Sequence, residues 1–285
     1  MRGSLLFLSG RADHMEKYAE TLHDWAARGW RVESFDWRGQ GGSGRLHEDG
    51  LLGHVDDFAC WLDDLEAYAR EWRARGPGPH VVVAHSMGGH LLLRALAEKR
   101  VDADAAVLVA PMLGIHAGGV PHMVADRIVR AMCAMGNHRR SLWPPRGRRS
   151  AMDAAIRTTL THSKARFDQE IKVRRERPDL IVDSPSWGWL RAAYHSIALL
   201  ERPDSVEQVR TPLLILVSRA DRLVSCPAIM RMVRRLPHAR THVYGRQAAH
   251  EILREVDSVR DDALARIDAF LDETAPARMK REQPA

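Results

Sequence analysis

The serine at position 86 stands where its hydroxyl could act as a nucleophile. The apolar run at 80–85 is typical of a buried strand, and a helical pattern follows Ser86 at once. Small residues stand two positions before and two after it, Ala84 and Gly88. This is the pattern of a nucleophile elbow, with Ala84 where the first glycine of G-x-S-x-G usually stands. The tight turn lifts the hydroxyl clear of the sheet and points the next backbone N–H, that of Met87, at a substrate oxygen. The alternative is a chance Ser-Met-Gly-Gly turn at a strand end.

A serine hydroxyl needs a general base, and the base needs a carboxylate that orients it. Asp221 stands where the chain leaves a strongly apolar run, and His250 lies in the loop after the next predicted strand. In hydrolases with a nucleophile elbow, the acid and then the histidine follow the serine in chain order. We therefore predict Asp221 as the orienting acid and His250 as the base. The alternatives are a surface histidine at 250 and, for Asp221, a helix cap or a salt bridge with Arg219 or Arg222. Glu251 is a less favoured acid because it adjoins the base in sequence.

The elements that must position these residues alternate between short apolar runs and longer amphipathic ones. Predicted strands lie at 4–9, 31–36, 80–85, 105–110, 212–218 and 241–244, and predicted helices at 14–28, 55–73, 87–99, 189–200, 226–235 and 256–271. Such alternation is the signature of βα units around a parallel sheet. The sequence therefore predicts an α/β fold with a mostly parallel central sheet flanked by helices.

The alternation breaks between positions 112 and 186, where helical patches are separated by loops rich in Pro, Gly and Arg. We interpret this stretch as a mainly helical cap inserted into one α/β core. The predicted units are the first part of the core at 1–111, the cap insertion at 112–186, the second part of the core at 187–273, and a polar tail at 274–285.

The composition excludes several classes of protein. The chain has 285 residues, with 45% hydrophobic and 28% charged residues, which is ordinary for a soluble globular protein. Three cysteines without a C-x-x-C spacing exclude a disulfide scaffold and a cysteine-rich zinc module, and they fit a reducing compartment. The short apolar run at the N-terminus and the lack of a stretch of about 20 apolar residues argue against secretion and membrane spanning. We expect a cytoplasmic protein.

No sequence motif implies a cofactor or a metal. The glycine-rich loop Gly39–Gly44 lacks the Lys-Ser/Thr of a phosphate-binding P-loop. His80, His85 and His90 fall on a strand, the elbow and a helix, so they are not expected to converge on a metal ion. H-E-x-x-H does not occur in the sequence. We therefore predict neither a cofactor nor a metal site.

The predicted cap supplies the whole basic excess of the chain. The net charge is +6, with 43 Lys+Arg and 37 Asp+Glu, while the stretch 112–186 holds 14 basic and 7 acidic residues. Its basic runs at 139–149 and 172–177 are accompanied by no nucleic-acid reading motif, so we expect no nucleic-acid partner. Solvated helix faces are the ordinary explanation of such runs. The functional alternative is a cationic rim that binds a lipid phosphate or an anionic membrane surface.

Several blocks of sequence resemble a known family. They are Gly10-Arg11 with Lys17-Tyr18 downstream, Phe35-Asp36-Trp37-Arg38-Gly39-Gln40-Gly41, Ser43-Gly44-Arg45, Leu52-Gly53-His54-Val55, Ala84-His85-Ser86-Met87-Gly88-Gly89, Ala110-Pro111-Met112 and His250-Glu251-Ile252-Leu253-Arg254-Glu255. Together they resemble the α/β-hydrolase superfamily, and more narrowly its bacterial lysophospholipase and monoacylglycerol lipase branch. The resemblance implies the α/β-hydrolase fold, with Ser86 as nucleophile, His250 as base and then acid, and Asp221 as its orienter. It further implies an oxyanion hole made by the backbone N–H groups of Arg11 and Met87.

The sequence departs from the family in two places. Family members usually have His-Gly before the oxyanion-hole residue, whereas this chain has Ser9-Gly10 before Arg11, a variation that lysophospholipase members share. The family fold usually begins with two further strands, and this sequence begins almost directly on the third. We expect either that the first hairpin is missing or that the natural start precedes Met1.

The resemblance implies a serine hydrolase of lipid-like carboxylic esters that works through an acyl-enzyme. We expect a lysophospholipid as substrate first, a monoacylglycerol second and a peptide third. Apolar cap residues are candidates for an acyl groove or for ordinary packing: Met112, Leu113, Ile115, Met123, Met132 and Met135. The alternatives are an acyltransferase or an aminopeptidase on the same fold, or a binding protein without catalysis. The sequence leaves the oligomeric state open.

Overall fold

The computed structural model describes residues 1–143 and 157–277 and is built around one six-stranded sheet. The strands are β1 Gly3–Leu8, β2 Trp30–Phe35, β3 His80–His85, β4 Ala105–Val109, β5 Leu213–Ser218 and β6 Ala239–Tyr244. Their order across the sheet is β2-β1-β3-β4-β5-β6, and every neighbouring pair is parallel. The predicted α/β fold class is thereby confirmed.

Helices connect the strands and flank the sheet. They are α1 Ala19–Ala27, α2 Ala59–Arg75, α3 Met87–Ala97, α4 His122–Met132, α5 Lys164–Glu176, α6 Trp187–Glu201, α7 Cys226–Val233 and α8 Asp257–Thr274. Every residue of β1, β3, β4 and β5 is buried, whereas β2 and β6 at the two edges are mostly half-buried. Burial on both faces explains why the central strands are almost continuously apolar rather than alternating. Helix residues such as Trp25, Leu65, Leu92 and Ile267 complete the core.

The ends of the elements differ by a few residues from the expected ones. The expected helix 14–28 begins as a 3₁₀ turn, Met15–Tyr18, before α1. The last strand starts two residues earlier than expected, because β6 pairs with β5 from Ala239 onward. The last residues of a helix or strand lack hydrogen-bond partners within their own element, and contacts with the rest of the molecule decide where the element ends. The spacing of apolar residues therefore predicts these ends poorly.

The described residues of the predicted cap form helices that are separated by turns and loops. It holds α4, a π turn at Cys133–Asn137, helical residues 157–160, α5 and a 3₁₀ turn at Pro178–Leu180, with isolated β-bridges but no strand in the described residues. Ala125 and Val129 of α4 pack with Cys133 on Tyr194 of α6. The boundaries at 112 and 186 stay a prediction. Residues 144–156, which include much of the basic run at 139–149, and residues 278–285 of the predicted tail lie outside the described residues.

Within residues 1–143 and 157–277, none of the helices is both long enough and apolar enough to cross a bilayer.

Candidate active site

Three side chains from distant parts of the chain meet at the carboxyl edge of the sheet. His250 Nε2 lies 2.9 Å from Ser86 Oγ, and His250 Nδ1 lies 2.6 Å from Asp221 Oδ2. Ser86 follows β3, Asp221 follows β5 and His250 follows β6, and all three are buried. Parallel strands end at the same edge of a sheet, so residues more than a hundred positions apart are brought together there. A hydroxyl, an imidazole and a carboxylate in this order can perform nucleophilic acyl transfer.

The turn that presents Ser86 is strained. Ser86 has φ 52° and ψ −114°, outside the regions that residues with a side chain ordinarily adopt. The turn also brings α3 against the end of β1. A Cβ on Gly88 would lie 2.5 Å from the backbone oxygen of Ser9 and 2.7 Å from that of Leu8. Only glycine fits at this position, which explains the small residue that follows the serine by two.

The carboxylate of Asp221 is held on both of its oxygens. Oδ1 accepts hydrogen bonds from the backbone N–H groups of Leu223 (2.8 Å) and Val224 (2.9 Å), which leaves Oδ2 for His250. Burial raises the pKa of Asp221, but the opposing effects of His250 and of the two N–H donors are larger together, so the pKa lies below its ordinary value. Asp221 is therefore ionised at neutral pH. The salt bridges to Arg219 or Arg222 considered from the sequence are not observed.

The environment of His250 favours its protonated form. Burial lowers the pKa of the imidazole, but Asp221 outweighs it, with further contributions from the carboxylates of Glu251 and Asp13. The net pKa lies above the ordinary value for histidine. This is the electrostatic arrangement required of a base that must hold a proton temporarily during acyl transfer. Glu251 does not replace Asp221 beside the imidazole, since its carboxylate binds Lys17 and Arg254 instead.

The loop after β1, residues 9–12, is held by the segment that follows β2. Gln40 Nε2 donates to the backbone oxygen of Gly10 (2.8 Å), and Gln40 Oε1 accepts from the N–H of Ala12 (3.1 Å). The indole N–H of Trp37 donates to the backbone oxygen of Ser9 (2.9 Å). These contacts give the Trp37–Gly41 block a structural role beside the site. They position the backbone of Arg11, whose N–H, like that of Met87, stays predicted to form the oxyanion hole.

A second group of polar side chains lies beneath the three, and the sequence reasoning did not find it. Asp13 Oδ2 accepts hydrogen bonds from the backbone N–H of Gly10 (3.0 Å) and from the Tyr18 hydroxyl (3.0 Å). The Tyr18 oxygen also lies 2.9 Å from His85 Nδ1, and the rings of His85 and His250 are 4.8 Å apart. The group therefore connects the loop after β1 with the catalytic edge. Its sequence signal was the i, i+4 pair of Asp13 with Lys17, which also forms in the structure.

The residues considered for an acyl groove lie in different environments. Met112 and Leu113 are buried in the main core, and the N–H of Met112 donates to the backbone oxygen of Ser86 (3.0 Å). Met132 is half-buried, whereas Met123 is 70% exposed. The structure therefore does not bring these four side chains together in one environment, and their contact with substrate stays a prediction. His80, His85 and His90 do not meet, and the described ranges contain no cluster of three or more potential metal ligands.

A parallel α/β sheet with a serine on a strained elbow, joined to a histidine and an aspartate from later strand ends, defines the α/β-hydrolases. The sequence matches the family described as "Serine aminopeptidase, S33" over residues 1–257, and the chain belongs to that family. Its relatives place it in the lysophospholipase and monoacylglycerol lipase branch, as the sequence blocks predicted.

Two relatives and one solved structure illustrate the similarity. Lysophospholipase L2 of Escherichia coli K12 is 33% identical over 279 residues, which cover 94% of this chain and 80% of that protein. Monoacylglycerol lipase of Mycolicibacterium smegmatis is 29% identical over 136 residues, 47% of each chain. The crystal structure of a soluble variant of monoglyceride lipase from Saccharomyces cerevisiae superposes with a TM-score of 0.74 at 17% identity, covering 96% of this chain and 88% of that one. The last likeness shows the α/β-hydrolase fold.

Proposed function

We propose that this protein is a serine hydrolase of lipid carboxylic esters, with Ser86 as the nucleophile. The observation that carries the proposal is the pair of short contacts at His250, 2.9 Å to Ser86 Oγ and 2.6 Å to Asp221 Oδ2. The relationship to lysophospholipase L2 supports a lipid ester as the substrate. No step of the proposed reaction calls for a cofactor.

The reaction runs in two halves. His250 Nε2 takes the proton of Ser86 as Oγ attacks the ester carbonyl, and the carbonyl electron pair moves onto oxygen. The N–H groups of Met87 and Arg11 stabilise that oxyanion, a contribution of about 3–4 kcal/mol for one donor in other hydrolases. The oxyanion then collapses, and the alcohol leaves with the proton from His250. In the second half, water gives a proton to His250 as it attacks the acyl carbonyl and forms a second oxyanion. That oxyanion collapses, the bond to Ser86 Oγ breaks, and His250 returns its proton to Oγ as the carboxylic acid leaves.

The test of this proposal is the variant Ser86→Ala with Ser205→Ala as the matched control. The Ser205 hydroxyl donates to the backbone oxygen of Leu200 near the end of α6 and contacts none of the three site residues, so its loss should leave activity unchanged. Removing the nucleophile should lower kcat by about 10⁶-fold, as in other serine hydrolases. A fluorophosphonate should label the wild type and Ser205→Ala but not Ser86→Ala. A Ser86→Ala variant with a tenth of wild-type activity would refute the assignment.

The substrate that we propose first is a lysophospholipid. The identity to lysophospholipase L2 supports it, and so does the basic excess of residues 112–186, which suits a phosphate-bearing head group. Burying an acyl chain contributes up to about 0.8 kcal/mol per CH₂. We propose a monoacylglycerol second, supported by the relative from Mycolicibacterium smegmatis, and a peptide third, supported by the family description.

A hydrolysis panel separates these substrates. It compares lysophosphatidylcholine, monooleoylglycerol, p-nitrophenyl esters of rising chain length and peptide p-nitroanilides at matched concentrations. The proposal expects kcat/KM to be highest for the lysophospholipid and to rise with acyl length. A preference for the anilides would instead identify an aminopeptidase. Product analysis with added alcohol acceptor distinguishes an acyltransferase, and a folded protein that no fluorophosphonate labels is a binding protein.

We further propose a peripheral contact with an anionic membrane surface through α4 and the turn after it. Apolar side chains here face solvent instead of the core: Met123 is 70% exposed, Met135 66% and Ile128 48%. The exposed Arg127 lies among them. An apolar helix face bordered by basic residues is suited to the interface of an anionic bilayer. This contact would place the protein at the inner membrane face, in the reducing compartment that its three free cysteines fit.

Sedimentation with vesicles tests the membrane contact. Wild-type protein should bind vesicles containing phosphatidylglycerol better than pure phosphatidylcholine, and salt should weaken the binding because the charges at the interface are screened. Ile128→Asp should abolish it, whereas the control Leu51→Asp, at a site 42% exposed outside α4, should not. Equal binding by both variants would contradict the contact.

A further inference from the structure

One segment of the predicted cap is attached to the loop that holds His250. We call residues 160–170 the clamp segment and residues 245–251 the histidine loop. The backbone oxygen of Leu160 accepts a hydrogen bond of 2.8 Å from the N–H of Glu251, the residue directly after His250. The backbone directly after His250 is therefore hydrogen-bonded to the clamp segment, which belongs to the predicted cap insertion.

The backbone directly before His250 is held by a buried carboxylate, that of Glu255. Glu255, with a side chain 0% exposed, accepts a hydrogen bond of 2.7 Å from the N–H of Ala249, the residue directly before His250. The same carboxylate binds His162 of the clamp segment twice, at 3.0 Å from its backbone N–H and 2.9 Å from its Nδ1. Both neighbours of His250 in sequence are thus connected to the clamp segment.

A buried ion cluster forms the third connection. Glu170 Oε2 of α5 lies 2.7 Å from Arg254 Nη1, which in turn lies 2.5 Å from Glu251 Oε2. Lys17 Nζ lies 2.5 Å from Glu251 and 3.4 Å from Glu170, and all four side chains are at most 5% exposed. Glu170 also binds Arg174 of its own helix. Removal of one member of such a cluster leaves buried charges without a partner, which is costly.

We propose that Glu170 and the clamp segment position the catalytic histidine. Glu170 touches none of the reacting groups, so it is a positioning residue: through Arg254 and Glu251 it holds the imidazole of His250 within reach of Ser86. Misplacement of a reacting group by about 1 Å can cost about 100-fold in rate. On this view, the groups of the clamp segment that bind around the histidine loop, those of Leu160, His162 and Glu170, are a fixed part of the catalytic core. The inference rests on the proposed role of His250.

The experiment compares Glu170→Ala and Glu170→Gln with Asp168→Ala. Asp168 is the matched control because it is a carboxylate of the same helix, two residues away. Its side chain is 56% exposed, and among the described residues it pairs with Lys164 alone. With p-nitrophenyl acetate, a substrate too short to depend on an acyl groove, Glu170→Ala should lower kcat by about 10- to 100-fold, with KM changed by less than about threefold. Glu170→Gln should recover most of the rate, because its amide oxygen can still accept from Arg254. Asp168→Ala should match the wild type.

A spectroscopic signal separates positioning from a general loss of structure. The proton between His250 Nδ1 and Asp221 gives a low-field NMR resonance that does not depend on turnover. We expect this resonance to shift or broaden in Glu170→Ala and to be unchanged in Asp168→Ala. It reads the position of the imidazole even if the proposed ester chemistry fails, so the two failures are distinguishable.

Two results would overturn the inference. One is a folded Glu170→Ala variant with wild-type kcat and an unchanged low-field resonance; the other is a loss confined to KM. If Glu170→Ala does not fold, His162→Ala replaces it, because the side chain of His162 is 41% exposed and its removal spares the ion cluster. That variant should lower kcat by about threefold to tenfold, with a shifted resonance. Wild-type values in both measurements would refute the role of the clamp segment.

Discussion

The substitution Asp221→Asn tests the proposed mechanism without changing the shape of the site. Its effect follows from the two backbone donors at Oδ1, the N–H groups of Leu223 and Val224. An asparagine must turn its carbonyl oxygen toward these donors, which leaves its NH₂ group facing His250 Nδ1. Because an NH₂ group only donates, Nδ1 must become the acceptor, and the proton of the neutral imidazole moves to Nε2. His250 then presents an N–H to Ser86 and cannot take its proton.

The same change of tautomer costs about 10⁴-fold in kcat in a well-studied serine protease, equivalent to about 5 kcal/mol of transition-state stabilisation. We expect a loss of this size for Asp221→Asn, since His250 makes both of the corresponding contacts here, at 2.6 Å to Asp221 and 2.9 Å to Ser86. The assay is p-nitrophenyl ester hydrolysis at pH 8. Ser86→Ala gives the rate that remains without the nucleophile, and circular dichroism confirms that each variant is folded. A folded Asp221→Asn variant within tenfold of wild type would refute the assignment of the acid, and a loss restricted to Glu251→Gln would transfer that role to Glu251.

Two further predictions concern pH and packing. His250 must be neutral to accept a proton, and its pKa is raised. We therefore expect kcat/KM to fall as pH decreases, with a midpoint above about 6.5 in a pH–rate profile. A midpoint below that value would contradict the electrostatic effect of Asp221. Gly88→Ala places a methyl group 2.5 Å from the backbone oxygen of Ser9. We expect this contact to lower the free energy of unfolding, measured in urea, by about 1–3 kcal/mol. Activity should fall as well, because the turn that carries Ser86 must shift. The control Gly50→Ala, whose Cβ would meet nothing closer than 4.0 Å, should be neutral, and equal stability of the two variants would refute the close approach.

The nucleophile elbow was predictable because its requirements are local. A buried strand, a serine with small neighbours and a helix are all encoded within about a dozen consecutive residues around Ser86. The candidate partners Asp221 and His250 were predictable from chain order, because each residue follows a strand and parallel strands end at one edge. The sheet itself was predictable from apolar runs, while the ends of its elements were not, because terminal turns depend on tertiary contacts such as the pairing of Ala239.

The two apolar faces of α4 show where periodicity stops being informative. Ala125 and Val129 are spaced by four residues, and so are Val124 and Ile128. Either pair could face the core, since helical spacing reports which residues share a face and not what that face contacts. Only the packing of α4 on Tyr194 decides that Ala125 and Val129 are buried while Val124 and Ile128 face solvent.

The sequence by itself determined the chemistry that this chain can offer: a serine at an elbow, an aspartate and a histidine after later strands, and the α/β framework that carries them. Only the tertiary structure decided what holds those groups in place. Gln40 is hydrogen-bonded to the loop after β1, and Glu170 is connected to the histidine loop through its ion pair with Arg254. These partners are separated by tens of residues or more, and a hydrogen bond between distant residues leaves no periodic or compositional trace. Its direction is set by how the chain packs, and that packing exists only in the folded molecule.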